Sequence, residues 1–313
     1  VEGNLFIGLE NLQVGAQLNL LFQIAEGSAD PDVEKARVDW HYLANNEWHY
    51  LRPDIDILSD ATDGLLQSGI IQFTIPWTIN QKNTILPAHL HWLRASVQKN
   101  TTAIGETLSI HAQAGKVTFK AQAGNDLQRL SQPLAAESID KPVENIAPLK
   151  GILQAYPSFG GRPRETREHF YTRVSERLRH KGRAITIYDY ERLVLQKFSS
   201  VYKVKCVPHT LGRRGKTSKN HTLAPGFITL IVVPDLSNLK VVDRYAPKVP
   251  LATLEAIEKF LKGVSSPFAR IKVLNPRYES IDVCFDVKFR KGKSPSYYLI
   301  ELRKSIRNFL TPW

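Results

Sequence analysis

The spacing of apolar residues changes part-way along the chain, and this change constrains the fold more than any other feature. Residues 18–24, 69–75 and 89–97 alternate apolar with polar side chains, and a turn signal at Ala44-Asn45-Asn46 separates two further short runs. Alternation with a period of two is typical of strands that have one buried face, and the turn signal indicates a hairpin. We therefore predict an antiparallel β-sandwich over residues 1–118.

Four of the five tryptophans fall within this β-rich segment. We interpret Trp40, Trp48, Trp77 and Trp92 as core residues, because aromatic side chains on strands are mostly buried. An exposed sugar-binding platform would use the same residue type. Fluorescence quenching of an exposed Trp48 or Trp77 by added sugar would distinguish this carbohydrate-binding alternative.

Residues 119–157 lack any long apolar period. Alanine, glutamine, serine and proline dominate this stretch, with Pro133, Pro142, Pro148 and Pro157 spread along it. This composition predicts an extended linker or arm between two domains.

From residue 158 onward, apolar residues recur at helical spacing. Phe170, Val174 and Leu178 mark one face of an amphipathic helix, and Gly182 lies where a glycine commonly ends a helix. Thr186 has a capping-box partner three residues later and starts a second helix. We place both helices within residues 163–198.

The rest of the chain predicts a β-β-α-β-β-α order, so residues 158–313 should form an α+β domain with a mixed or antiparallel sheet and amphipathic helices. The alternation of residues 281–289 is the clearest strand pattern in the chain. The last helix should turn Tyr298, Leu302, Ile306 and Phe309 inward. The predicted elements are strands near 202–206 and 227–233, a helix at 250–263, strands at 271–273 and 281–289, and a helix from Ser294-Pro295.

The formal net charge of +12 is distributed unevenly between the two parts. Residues 1–150 contain 17 acidic and 11 basic side chains, whereas residues 151–313 contain 13 acidic and 31 basic ones. Such asymmetry indicates two modules with different surfaces and suggests an anionic partner for the basic one.

The longest apolar run, Phe227–Val233, is too short to cross a bilayer, so we predict no membrane span.

No set of residues predicts catalysis, a metal ion or a cofactor. The stretch Gly212–Thr217 ends like a phosphate-binding loop but has Thr210 where the first glycine belongs. His89 and His91 lack an obvious third ligand, and the Cys206–His209 couple lacks an orienting residue. The two cysteines, Cys206 and Cys284, are expected in strands as small apolar side chains. We therefore predict that the chain is not an enzyme.

Arginine and lysine are concentrated between residues 162 and 183 and in the loop near 214. Arginine forks bind carboxylates and phosphates equally well, so a contact with an acidic protein surface fits this cluster. A solvated helix face is the alternative interpretation. The candidate subunit interface consists of Arg162, Arg164, Arg173, Arg177, Arg179, Lys181, Arg183, Arg213, Arg214 and Lys216.

Several long strings stand out in the second half of the chain: Gly160–Glu165, Arg173–Thr186, Asp189–Val194, Tyr202–Thr210 and Pro225-Gly226. Upstream, the corresponding strings are Ile7–Leu12, Leu20–Gln23, Ser68–Phe73 and His91–Ala95. The first set resembles the baseplate J-like family, the wedge proteins of contractile phage tails and related injection systems. The upstream set resembles the β module that larger members of this family carry.

The resemblance implies a structural role in a six-fold ring around the hub and spike, with support for sheath attachment and firing. The implied partners are a second wedge subunit (a paralogue or a second copy), other baseplate proteins, hub and spike, and sheath. Assembly would take place in the bacterial cytoplasm, in a phage tail, an extracellular injection particle or a type VI secretion-like device. Family members often extend at both ends, and the absence of methionine leads us to expect the same here.

A nucleic-acid-binding protein is the main alternative to an assembly component. It would use the basic C-terminal module and show a steep dependence of binding on salt. The acidic first module and the lack of an aromatic stacking platform argue against nucleic acid as a partner.

Overall fold

Eight strands form in the first 112 residues of the computed structural model. The structure describes residues 1–121, 124–144, 146–162, 164–212, 214, 222–236, 245–290, 292 and 294–311. The strands are β1 (Gly3–Leu9), β2 (Gln17–Ile24), β3 (Val38–Ala44), β4 (Glu47–Tyr50), β5 (Ile57–Asp60), β6 (Gly69–Thr74), β7 (His91–Val97) and β8 (Thr107–Ala112).

These strands make two four-stranded antiparallel sheets. One sheet has the order β1-β7-β3-β4 and the other β5-β6-β2-β8. Their inner faces share one apolar core, in which Phe22 and Phe73 from the second sheet pack edge-on against Trp40 from the first. The predicted antiparallel β-sandwich is confirmed, because the alternating residues of β2 and β6 are buried on one face.

The turn at Asn45 and Asn46 also forms as predicted. Both residues have positive φ angles, 49° and 66°, and they join β3 to β4 as a tight hairpin. The core interpretation is confirmed for Trp40, which is 3% exposed, and is wrong for Trp77, which follows Pro76 in the loop after β6 and is 81% exposed. Trp48 and Trp92 are half-buried.

The chain divides into two compact units, residues 1–115 with 182–313, and residues 116–181. In the smaller unit, a 3₁₀ turn spans Leu127–Ser131 and the helix α1 spans Arg167–His180. The backbone between them folds back on itself. Ser158 N–H donates to Leu134 O at 2.9 Å, and Glu137 N–H donates to Gln154 O at 2.9 Å. The extended arm predicted for residues 119–157 is therefore held by local hydrogen bonds.

The described residues of the C-terminal part form three more helices and three more strands. These elements are α2 (Ile187–Lys197), β9 (Val201–Leu211), β10 (Thr222–Pro234), α3 (Leu251–Val264), β11 (Arg270–Leu274) and α4 (Pro295–Leu310). The helices α2 and α3 pack on the sheet of this part and form a second apolar core with it.

The sheet of this part is mixed, as predicted. Its order is β11-β10-β9, with β10 antiparallel to β9 and parallel to β11. The helix α3 connects the two parallel strands and buries Leu254, Ile257 and Leu261. Thr186 caps α2 through the predicted capping box with Asp189. Lys181 and Gly182 end α1 with positive φ angles.

The strand predicted at residues 281–289 does not form, so the order after the first two helices is β-β-α-β-α. This segment pairs with none of the described strands. Its residues Ile281, Val283, Phe285 and Val287 are exposed, and Phe289 is half-buried. A strand needs a hydrogen-bonding neighbour, and side chains already bond to backbone groups of both edge strands of the sheet. Glu191 accepts from Cys206 N–H in β9, and Arg214 donates to Val273 O in β11.

The inward face predicted for the last helix is also not buried. The helix α4 forms and has Pro295 in its first turn, but none of its residues is buried. Phe309 is exposed, and Leu302 and Ile306 are half-buried. Helical spacing correctly located the element, but the layer needed to cover it is absent from the described part of this chain.

Candidate subunit interface

The helix α1 carries most of the candidate interface residues. It begins after Thr166, whose hydroxyl accepts a hydrogen bond from His169 N–H, and Glu168 lies in its first turn. Arg177, Arg179 and His180 lie in its last turn, where positive charge stabilises a helix. The helix is therefore specified locally at both ends.

The apolar residues of α1 are not buried as the sequence predicted. Phe170 is 45% exposed, Leu178 71% and Tyr171 64%, and Val174 is half-buried. His180 is the one buried residue of this helix. A helix that exposes large apolar side chains beside arginines offers both the apolar contact and the charge that protein interfaces use.

Arg173 is fixed on this helix by two interactions. Its guanidinium donates to both carboxylate oxygens of Glu165 at 2.8 Å and lies 5.4 Å from the ring centre of Phe170. The hydrogen bond from Arg173 holds the pKa of the Glu165 carboxyl below its usual range. Arg173 therefore holds Glu165, which precedes α1, against the helix. The exposed Arg177 and Arg179 lie nearer the C-terminal end of α1.

The other candidate residues fall into three groups. Arg162, Arg164, Arg177, Arg179, Lys181 and Arg183 are exposed, as a contact surface requires. Arg213 and Lys216 lie outside the described residues. The side chain of Arg214 is 1% exposed and pairs with Glu255, so it acts inside this chain, where the sequence had suggested a contact between subunits.

Sequence reasoning missed a set of ion pairs that joins the acidic sandwich to the basic C-terminal part. Asp32 lies 2.5 Å from Lys248 Nζ, and Glu34 lies 2.9 Å from Lys272 Nζ. Glu34 also lies 4.0 Å from Arg214. The charge asymmetry between the two halves of the sequence was the one signal of these contacts, but it could not identify the pairs.

A small apolar cluster accompanies these ion pairs. Leu251 at the start of α3 is buried among Ala29, Ala36, Leu66 and Val97 of the sandwich. Burial of apolar surface stabilises such a contact more than exposed ion pairs do, because exposed pairs contribute about 1 kcal/mol or less. The sandwich and the α3 region are therefore held together within the larger unit.

The residues considered for chemistry are not arranged as a reactive site. Burial raises the pKa of the Cys206 thiol to about 11, so the thiolate needed for nucleophilic attack is disfavoured at neutral pH. His209 is exposed and follows Pro208 near the C-terminal end of β9. His91 starts β7, whereas His89 precedes the strand, so the two rings do not share a strand face. Burial lowers the pKa of His91.

No group of three or more metal-ligating side chains occurs among the described residues. Within that same part of the chain, no helix is long and apolar enough to cross a membrane. Most of the loop that resembles a phosphate-binding loop, residues 213 and 215–221, lies outside the described residues.

A family model matches the chain over its full length. The model of a family described as "Baseplate protein PVC11-like" matches residues 1–313. No curated protein matches the chain. A solved structure titled "Cryo-EM structure of the anti-feeding prophage (AFP) baseplate, 6-fold symmetrised" is similar at 16% identity and a TM-score of 0.43. The alignment covers 95% of this chain and 64% of that one, a likeness too weak to assign partners.

Proposed function

The chain belongs to the PVC11-like family of baseplate proteins, and from that membership we propose that it is a structural wedge component of a contractile injection machine. The family match over residues 1–313 carries the proposal, because it spans both the sandwich and the C-terminal part. In this role the protein has no catalytic function. It assembles with copies of itself and with other baseplate proteins into a ring.

The finer parts of the role come from the resemblance to the baseplate J-like family. We propose that the ring is six-fold, surrounds the hub and spike, and supports sheath attachment and firing. Assembly would take place in the bacterial cytoplasm before the particle is used or released. The same resemblance would suit a phage tail, an extracellular particle or a type VI secretion-like device.

We propose α1 as one contact surface of this wedge. Its exposed Phe170, Tyr171 and Leu178 would fill an apolar groove on a neighbouring subunit, and Arg177 and Arg179 would meet acidic residues on the rim. Aromatic and arginine side chains often dominate binding energy at such contacts. Because rim charges mainly steer association, their reversal should slow assembly and make it sensitive to salt.

Charge reversal at α1 tests the proposal. We expect Arg177→Glu with Arg179→Glu to reduce the yield of assembled baseplates, counted by negative-stain electron microscopy of tagged particles from the native source. Lys82→Glu with Lys99→Glu is the matched control, because it makes the same charge change at exposed positions of the sandwich. Normal yield from the α1 variant would contradict this contact. Absence of plates or sheathed tubes in any preparation would contradict the baseplate role.

A nucleic-acid-binding role would use the same basic surface, and a binding assay separates the two. Retention of DNA or RNA would fall steeply with salt, in proportion to the phosphates neutralised. For a structural wedge protein we expect no salt-dependent retention of either polymer by the purified chain.

The exposure of Trp77 favours carbohydrate binding by the sandwich as a second candidate function. Its ring packs on Gly15, where an added Cβ would lie 2.3 Å from the indole, and most of the indole surface remains open to solvent. An open indole face is the group that stacks on a sugar ring. Quenching of tryptophan fluorescence by soluble glycans, lost in Trp77→Ala, would support this function. Identical quenching curves for the two proteins would exclude it.

A further inference from the structure

Residues 281–289 have a complete strand pattern but no strand to pair with in the described part of the chain. The apolar residues Ile281, Val283, Phe285 and Val287 are 76%, 49%, 42% and 42% exposed. Exposed alternating segments with unpaired backbone groups readily add to another strand. The segment is held at its start, since Tyr278 Oη donates to Pro247 O at 2.8 Å.

The sheet of the same chain offers poor edges for this segment. In β9, Cys206 N–H already donates to Glu191 Oε1 at 3.0 Å, and Pro208 has no N–H to offer. In β11, Val273 O accepts a hydrogen bond from Arg214 Nη2 at 3.3 Å. Pairing at these positions would require breaking bonds that the chain has already made. A partner strand from outside the chain avoids that cost.

The segment is complementary to itself when two copies run antiparallel about Phe285. All five apolar residues then lie opposite apolar residues, with Ile281 facing Phe289 and Val283 facing Val287. Asp282 faces Lys288 in both halves of the pair. Directly opposite side chains lie on the same face, so one face is apolar and the other is polar, with Asp282 opposite Lys288 and Cys284 opposite Asp286.

Other arrangements lose this match. A slip by one residue on one copy places apolar side chains opposite polar ones. Centring the pair on Cys284 or Asp286 brings aspartates opposite each other, and parallel pairing in register does the same. Centring on Val287 sets Val283 and Ile281 opposite the lysines at sequence positions 291 and 293. Charge and burial therefore favour one register.

We propose that residues 281–289 of two copies of this chain pair as an antiparallel β-ribbon centred on Phe285. The helix α4 of each copy covers the apolar face of the ribbon. The ring centre of Phe289 already lies 6.3 Å from that of Tyr298 in α4. A bare two-stranded ribbon is only marginally stable, so this cover is required. The contact is two-fold and isologous.

The inference deepens the proposed assembly role by naming a second copy of this chain as one partner. Its test uses the purified full chain, so it can fail while the baseplate role stands. Equally, a dimer in solution would support the pairing of residues 281–289 even if no baseplate assembled.

A cysteine variant tests both the dimer and its register. In the proposed ribbon Asp286 lies opposite Cys284 of the other copy, so Asp286→Cys places two thiols at about 4.5–5.5 Å between Cα atoms, within disulfide range. We expect this variant to form a disulfide-linked dimer on mild oxidation, read on a non-reducing gel. Wild-type Cys284 meets its copy only diagonally, at about 7–8 Å, and should stay uncrosslinked.

Asp282→Cys is the matched control, because it introduces the same residue two positions before Cys284. Its thiol would lie about 13 Å from Cys284 of the other copy, which is too far for a disulfide. Cross-linking by Asp282→Cys at the level of Asp286→Cys would overturn the register. Cys206 is buried and should not contribute a band.

Charge exchange tests the same pairing without chemistry on cysteine. Lys288→Asp sets like charges opposite each other twice and should weaken the dimer about tenfold, measured by sedimentation of a concentration series. The double variant Asp282→Lys with Lys288→Asp restores both opposite-charge pairs and should restore dimerisation. A wild-type chain that remains monomeric at every concentration, or a double variant no tighter than Lys288→Asp, would overturn the proposal.

Discussion

The strand β6 and the segment 281–289 have the same alternation of apolar and polar residues but end in opposite environments. In β6, Ile71 and Phe73 are fully buried between two sheets. In residues 281–289, Phe285 and its apolar neighbours face solvent. The difference shows that alternation defines the faces of a strand, whereas burial needs a hydrogen-bonding neighbour and a second layer.

Replacing phenylalanine with alanine in each of the two regions should give the largest difference in the free energy of unfolding. We expect Phe73→Ala to lower the free energy of unfolding of the sandwich by about 3–5 kcal/mol, because it leaves a cavity beside Trp40. Phe285→Ala should change it by less than about 0.5 kcal/mol in dilute monomer. Urea unfolding followed by tryptophan fluorescence and circular dichroism measures both. A comparable loss from Phe285→Ala would mean that this segment is buried within its own chain.

Two arginines extend the comparison from apolar to charged side chains. Arg214→Met should destabilise the C-terminal core by about 2 kcal/mol, since it leaves Glu255 half-desolvated without its partner. Solvent reaches part of Glu255, which reduces the effect below that of a fully buried pair. Arg177→Met removes the same charge from an exposed position on α1 and should leave unfolding unchanged. Denaturation followed by circular dichroism distinguishes them, and equal shifts would refute the contrast.

Helix caps provide a smaller contrast. Thr186→Ala should cost about 1 kcal/mol in unfolding of the C-terminal core, because α2 is packed against β9 and its cap bonds Asp189 N–H. Thr166→Ala removes the equivalent bond to His169 from exposed α1. It should reduce helix content by circular dichroism without moving the core transition. A shift of that transition would show that α1 is packed more tightly than its exposure indicates.

The smallest expected effect depends on pH. The hydrogen bond from Arg52 lowers the pKa of Asp56 in the folded sandwich. The pair therefore stabilises the fold at pH values above the pKa that Asp56 has in the unfolded chain. This contribution is lost as the pH falls through the lower pKa of the folded state. Arg52 is largely exposed, so solvent screens this pair and its contribution should be small. Asp56→Asn should flatten the decline of stability below about pH 4. Glu165→Gln, which removes a similar pair from the smaller unit, should leave sandwich unfolding unaltered at every pH.

Much of the fold could be predicted from the sequence because its signals are local. The alternation of residues 18–24, the capping box at Thr186 and the spacing of Leu254, Ile257 and Leu261 each depend on neighbours within a few residues. The interface residues were harder to predict. Arg177 is exposed and Arg214 is buried, although both are arginines in similarly basic segments. Residue type and local charge therefore did not distinguish them.

Sequence patterns were sufficient to locate most strands and helices, to say which side chains share a face, and to show that the two halves carry opposite charge, but they also predicted a strand at residues 281–289 that does not form. Which faces are covered depends on the folded chain: Trp77 and Phe285 are exposed, Arg214 is buried against Glu255, and Asp32 pairs with Lys248. The physical reason is that periodicity and capping are properties of adjacent residues, whereas burial and ion pairing depend on groups brought together from distant parts of the chain.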